Sequence, residues 1–348
     1  MDCIILSQNV RTFCSAIVSM SKIGKDMYIE FDPLDQRLIL RTINDAKSAF
    51  SAFTFRAAFF ERCRTPSNMG RQVQQSQEDD EDDYLYKCRV PLRALLAVTK
   101  TRKGVVSLRV RNEITADHMY LSFEFRVENR AGNISHVQHK IGVVEADSVQ
   151  AVTNQDCASD LLAIPRKLLQ MIEPLKKTPE VALVVNYEAM IVTLSSFHHS
   201  SAEENNVVLQ SQSASLLKTE TSVGADEFEE FQYIDTRDTD RGDNIPSNVN
   251  SEVTMVFTLR EPKAMLQFCQ SADEDLRINI NFHWGGKPIV FKTDTPIFSG
   301  KLVMATLDFR LLRGTEVSES NKSKNNIVNS KSRGDDEKES SQNPVTRD

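Results

Sequence analysis

Catalytic signatures are missing from this 348-residue sequence: there is no GxGxxG or Walker-type phosphate loop, no HExxH, no GxSxG and no CxxC pair. The six cysteines (Cys3, Cys14, Cys63, Cys88, Cys157 and Cys269) are scattered without regular spacing. Neither a disulfide framework nor a zinc site is expected, and they read as reduced, mostly buried thiols. No apolar run approaches the ~18 residues of a membrane span. The opening MDCIILSQNVRTF, with Asp2 in place, turns polar too soon for a signal peptide. These absences lead us to expect a cytosolic or nuclear protein with no membrane partner, no metal and no cofactor.

Apolar material for a core is present: hydrophobic residues make up 40% and charged ones 26%, close to globular averages, and the length suits two ordinary domains. Short alternating segments rich in β-branched and aromatic residues recur, among them MYIEFD, RLILRTI, AFSAFTF, VVSLRVR, MYLSFEFRV, VALVVNY, VTMVFTLR and KPIVFKT. Their period of two predicts strands. Four amphipathic helices interrupt them, starting at Val10, Leu92, Pro165 and Pro262. Each follows a strand and precedes two or more further strands, which is an internal repeat.

Aligned on those starts, the second position is Arg11, Arg93, Arg166 and Lys263, always basic. The fourth and fifth are Phe13-Cys14, Leu95-Leu96, Leu168-Leu169 and Met265-Leu266, always apolar. At about 100° per residue the apolar pair shares a face suited to a sheet, and the basic position projects off it.

Three segments break the pattern. Residues 64–83 are polar, with an acidic run at Glu78–Asp83, and read as a flexible insertion. Residues 198–251 form a polar insertion holding the acidic-aromatic DEFEEFQYID and one strand near SLLKTETSV. The tail, residues 313–348, is too poor in apolar residues to offset its ordering entropy and reads as disordered. Between the halves 1–141 and 157–312, residues 142–156 show neither period and read as a connector.

Charge is segregated by element. The chain carries −7 overall, yet the windows Asn9–Lys25, Pro91–Lys103, Pro165–Lys177 and Arg260–Gln270 carry +11 in 54 residues, leaving −18 elsewhere. A helix macrodipole would favour Lys22, Lys25, Lys100, Arg102, Lys103, Lys176 and Lys177 near C-termini. It disfavours Arg11, Arg93, Arg166 and Lys263, read in first turns, by up to ~1 kcal/mol each. Four helices agreeing in phase build a basic surface inside an acidic shell, suited to a polyanion held without base reading.

Strand, helix and three strands, repeated four times over two joined halves with basic helices on one face, resembles the α+β fold of the DNA sliding clamps. In these rings duplex DNA passes through a helix-lined hole. NVRTFCSAIVSMSKIGKDMYIEFDPLDQRLILRTINDAKSAFSAFTF, DEFEEF, VTMVFTLREPKAMLQFCQSADEDLRINI and KPIVFKTDTPIFSGKLVMATL are similar to the Rad-nine branch. That family supplies a subunit of the heterotrimeric DNA-damage checkpoint clamp, the nine-one-one complex, a relative of the PCNA sliding clamps. The resemblance covers roughly residues 1–312.

The resemblance implies a non-enzymatic nuclear subunit that joins two other checkpoint-clamp subunits around double-stranded DNA, loaded by a replication-factor-C-type clamp loader. It implies that Arg11, Lys22, Lys25, Arg93, Lys100, Arg102, Lys103, Arg166, Lys167, Lys176, Lys177 and Lys263 face the hole. The connector, with Val143, Val144, Val149 and Val152, would lie on the outer face and receive partner peptides. NISHVQHKI and SLLKTETSV would be the edge strands that close the ring. Tail phosphorylation, for which Ser318, Ser320 and Ser341 are candidates, would recruit a BRCT-repeat scaffold and a checkpoint kinase, although the tail is short.

Two other readings stand beside this one. A homotrimeric replication processivity clamp would need self-complementary head-to-tail interfaces. A metal-dependent nuclease would draw on Asp79, Asp80, Asp82 and Asp83, or on His198 and His199. Metal catalysis needs ligands fixed on rigid elements, and both groups fall in polar insertions, so a solvated run is expected there.

Overall fold

The computed structural model describes residues 1–64, 86–100, 104–115, 118–151, 159–175, 177–197, 218–233 and 252–308. The chain divides into Met1–Leu307, treated below, and Asp308–Asp348. Four strand–helix–three-strand units follow one another. The first is β1 (Asp2–Leu6), α1 (Ser7–Met20), β2 (Asp26–Asp32), β3 (Arg37–Ile43) and β4 (Ala49–Phe55). A 3-10 turn then leads to the short β5 (Arg62–Arg64). The second unit is β6 (Tyr86–Pro91), α2 (Leu92–Val98), β7 (Val105–Ile114), β8 (Met119–Glu128) and β9 (Ile134–Glu145).

The second half repeats this order. It runs β10 (Ser159–Ala163), α3 (Pro165–Ile172), β11 (Glu180–Asn186), β12 (Ile191–Phe197) and β13 (Glu220–Gly224), then a 3-10 turn and β14 (Glu230–Tyr233). The last unit is β15 (Glu252–Thr258), α4 (Arg260–Ala272), β16 (Ile278–Phe282), β17 (Ile289–Asp294) and β18 (Phe298–Met304). The appended strands obey the same symmetry, because β5 pairs with β1 as β14 pairs with β10. The repeated strand–helix–three-strand order expected from the sequence is the one observed.

Local sequence accounts for the elements. Strand burial alternates, as in β10 and β16, where every second side chain is buried, because successive side chains point to opposite faces. Pro165 opens α3 at its first position, where its fixed φ suits a helix and no backbone donor is lost. Between α2 and β7 the chain turns through Gly104 at φ +78°, and a Cβ there would stand 2.3 Å from the Glu128 carbonyl oxygen. Only glycine meets both conditions.

The two halves are one body. β4 and β18 pair antiparallel from Phe55↔Phe298 to Ala49↔Met304, which joins the sheets of the two halves in the order β14-β10-β16-β17-β18-β4-β3-β2-β6-β9-β8-β7-β1-β5. Behind that seam α1 packs on α4. Phenylalanines fill the space: Phe53 meets Phe268 at 4.5 Å between ring centroids, Phe55 meets Phe59 at 4.5 Å and Phe13 at 5.4 Å. The apolar core is accordingly continuous across both halves, rather than two separate domain cores.

Several boundaries differ from the sequence reading. The connector gives its first four residues, with Val143 and Val144, to β9, because Val143 pairs with Met119 and Val144 with Arg89. The polar insertion is structured over residues 218–233, which hold β13 and β14. There Phe231 meets Tyr187 at 5.1 Å, so the acidic-aromatic patch anchors its aromatic side inward. Arg64, taken as the start of the flexible insertion, ends β5. The cysteine reading is corrected too: Cys3 and Cys63 sit opposite each other on β1 and β5 and form a disulfide, which their 60-residue separation did not signal. Cys14, Cys88 and Cys269 are free and buried.

Candidate nucleic-acid interface

The helices form a contiguous row, α2–α1–α4–α3, through α1–α2, α1–α4 and α3–α4 contacts. Each turns its apolar stripe to the sheets. On α1, Val10, Phe13, Cys14, Ile17 and Met20 are buried, and Ser7, Gln8, Arg11 and Val18 are exposed. On α4, Met265, Leu266, Phe268 and Cys269 are buried, and Arg260, Gln267 and Gln270 are exposed. The one acid within α4, Glu261, is buried and accepts a hydrogen bond from the Thr258 hydroxyl at 2.7 Å. No carboxylate therefore stands on the exposed stripe of any of the four α-helices among the described residues; the nearest acids beyond the helix ends are Glu173, directly after α3, and Asp273, directly after α4.

Arg11, Lys22, Arg93, Lys100, Arg166 and Lys177 are exposed and Lys263 is half-buried. None of these seven has a carboxylate partner among the described residues. Lys25 and Lys167 differ, because Lys25 pairs with Asp45 and Lys167 with Glu227. Asp45 accordingly raises the Lys25 ammonium above its ordinary pKa. Arg102, Lys103 and Lys176 lie outside the described residues.

The placement along the helices also differs from expectation. Because α1 begins at Ser7, Arg11 is its fifth residue, beyond the first turn, and only Arg93, Arg166 and Lys263 are early in their helices. No helix has a base in its last turn, so Lys22, Lys25, Lys100 and Lys177 follow the helix ends instead of complementing the dipole within them. One cation was given no role from sequence: Arg260 lines a groove with Lys22, Lys263, Thr178 and Gln267 where the end of α1 meets α4. Its position one turn before Lys263 was the available signal, hidden by starting the repeat at Pro262.

Among the described residues β9 and β13 keep open backbone edges, as do the short β5 and β14 at the two ends of the long sheet. β9 pairs with β8 over Ile134–Val143, and β6 takes only Val144 and Glu145 on its other side. β13 pairs with β12 alone. Of the connector, Val149 and Ala151 cover Phe50, Val290 and Val303 on the sheet face away from the helices, and the Ser148 hydroxyl accepts from Arg41, which also pairs with Glu30. Val152, the acidic run Glu78–Asp83, His198, His199, Ser318, Ser320 and Ser341 lie outside the described residues.

A Rad9 family model matches residues 13–307 of the chain. The cell cycle checkpoint control protein Rad9 of Drosophila melanogaster is 22% identical over 284 residues, 82% of this chain and 51% of the relative. The chain thus spans about half the length of that curated relative. Among solved structures, PCNA from Thermococcus kodakaraensis is similar with a TM-score of 0.59 at 11% identity, covering 88% of this chain and 99% of that one. PCNA from Entamoeba histolytica gives 0.59 at 9% identity, covering 88% and 98%. At such identities the likeness establishes the fold.

Proposed function

The chain belongs to the Rad9 family, and from that premise we propose that it is a non-enzymatic subunit of a heterotrimeric checkpoint clamp that encircles double-stranded DNA in the nucleus. The observation that carries this reading is the helix row, whose exposed stripes hold Arg11, Arg93, Arg166, Arg260 and Lys263 and no carboxylate. Cations of this kind attract any phosphodiester backbone without reading bases. At a Debye length of about 8–10 Å the attraction is short-ranged and screened, so DNA held this way slides. Retention comes from enclosure.

The open edges of β9 and β13 are where two different neighbours would add strands, with backbone hydrogen bonds supplying the joint and side chains selecting the partner. A replication-factor-C-type loader would open such a ring. The connector over Phe50, Val290 and Val303 would receive repair-factor peptides; in one similar structure, PCNA of A. fulgidus is bound to the C-terminal region of FEN-1. Phosphorylation at Ser318, Ser320 or Ser341 would recruit the BRCT-repeat scaffold and with it the checkpoint kinase.

The test is retention of the assembled ring on closed circular DNA with Arg11, Arg93, Arg166 and Lys263 all changed to Glu. Ring assembly should persist while retention falls; unchanged retention would overturn the assignment of the helix row. Sedimentation of the chain alone separates this reading from a homotrimeric replication clamp, which would sediment as a self-trimer.

A further inference from the structure

The helix row leaves a second cationic surface unexplained. On the opposite face of the sheet formed by β5, β1, β7, β8 and β9, side chains alternate away from the core, whose members there are Cys3, Ile5, Leu108, Val110, Phe123 and Phe125. The register places Arg64, Asp2, Arg111, Ser122 and Lys140 in one cross-strand line. The next line is Arg62, Ile4, Arg109, Glu124 and Gln138, and beyond it Arg126 stands opposite His136.

Six cations, Arg62, Arg64, Arg109, Arg111, Arg126 and Lys140, thus share one face with Asp2, Glu113 and Glu124. Those carboxylates do not saturate them. Asp2 receives two hydrogen bonds from Arg109 at 2.7 Å and stands 3.8 Å from Arg62. Glu113 takes Arg111 at 2.8 Å and Lys140 at 2.6 Å. Arg64 and Arg126 are exposed with no carboxylate partner among the described residues. The Nε–H groups of Arg62 and Arg111 are buried without an acceptor there.

We propose that this face is a docking surface for an extended acidic peptide of a protein partner. Arg62 and Arg64, like Arg109 and Arg111, are two residues apart along a strand, about 6.8 Å. Alternate carboxylates of an extended peptide have the same spacing, so one peptide laid along the strands meets successive guanidinium forks. The guanidinium groups present paired donors that match carboxylates. Duplex DNA fits less well, because its unbroken line of phosphates would cross Asp2, Glu113 and Glu124, whereas a peptide can place neutral side chains over them. The acid-free helix row makes the contrast: one face suits a continuous polyanion, the other an interrupted one. The sheet separates the two, so both can be occupied together.

The experiment measures binding of a fluorescein-labelled peptide of alternating glutamate and serine, twelve residues in all, to the full chain by anisotropy. Changing Arg62, Arg64 and Arg126 to Gln together should weaken binding about tenfold or more without lowering the melting temperature, because none of the three holds a short ion pair. Changing Arg93 and Arg166 to Gln should leave peptide binding unchanged. The proposal is overturned if the full chain does not bind the peptide, if the outer triple variant binds as well as the parent, or if the helix-row pair weakens binding equally. It is also overturned if a short DNA duplex displaces the peptide as effectively as unlabelled peptide does.

Discussion

Gly300 offers the sharpest test of how the halves are joined. It lies in β18 directly opposite Phe53 of β4, and a Cβ there would stand 2.8 Å from Phe53 Cε1 and 3.0 Å from the Met265 methyl. Both neighbours belong to the packed seam, since Phe53 meets Phe268 edge-on at 4.5 Å. Overpacking of this kind costs about 1–3 kcal/mol. Against it stands the reduced entropy of the unfolded chain, worth about 0.4–1 kcal/mol for Gly→Ala where the backbone conformation is ordinary. Gly300→Ala should therefore destabilise by up to roughly 2.5 kcal/mol, a loss of as much as several degrees in melting temperature at about 2–4 °C per kcal/mol. Phe53→Leu should also destabilise, but the double variant should recover part of the loss, because the new methyl enters space the ring vacated. The assay is a double-mutant cycle by urea unfolding. Additivity within about 0.5 kcal/mol, or an alanine variant more stable than the parent, would refute the close approach.

Arg41→Met should leave Glu30 without its partner in a pair whose side chains are 13% and 11% exposed, costing up to about 3–5 kcal/mol; the freed Ser148 strap should be cleaved faster by protease near residues 146–151. The Arg109 hydrogen bonds hold the Asp2 carboxyl below its ordinary value, so the folded state binds fewer protons than the unfolded state. The stabilisation is complete above the usual carboxylate pKa of about 3.9 and is lost as pH falls through the lower folded value. Asp2→Asn should flatten the acid limb of urea midpoints measured from pH 5 to 2.5. Burial pushes the Cys14 and Cys88 thiols up to about 11 and Cys269 up to about 12. These three should therefore resist iodoacetamide at pH 8 in the native chain and react on unfolding.

Periodicity made the repeat legible, since a strand's period of two and a helix's 3.6 are local properties that β16 and α1 express cleanly. The helix cations were legible for the same reason: a phase shared by four segments is visible without knowing how they meet. Contacts between distant segments were not. Nothing near Cys3 announces Cys63, and the short β5 that brings them together has only three residues. Lys25 and Lys167 carried the same signal as Arg93, and only the fold shows that Asp45 and Glu227 reach them. The outer arginines were hidden differently, because Arg62 comes from β5 and Arg109, Arg111 and Arg126 from the later β7–β8 hairpin, and only register through β1 aligns them.

Arrangement, more than net charge, decides what such a chain can hold. At −7 overall, the molecule repels a polyanion at long range, and beyond about 8–10 Å the helix cations are screened. Capture of DNA by free diffusion to the helix row is therefore disfavoured, whereas DNA already placed beside the row meets a stripe without carboxylates. A surface of that kind weakens on raising salt yet needs no steering field if a loader or a closed ring supplies the proximity. The isolated chain should accordingly bind duplex DNA weakly even at low ionic strength. The same four helices in an assembled ring should hold circular DNA through salt that strips it from the free subunit; tight salt-resistant binding by the free chain would show that specific contacts, not enclosure, do the holding.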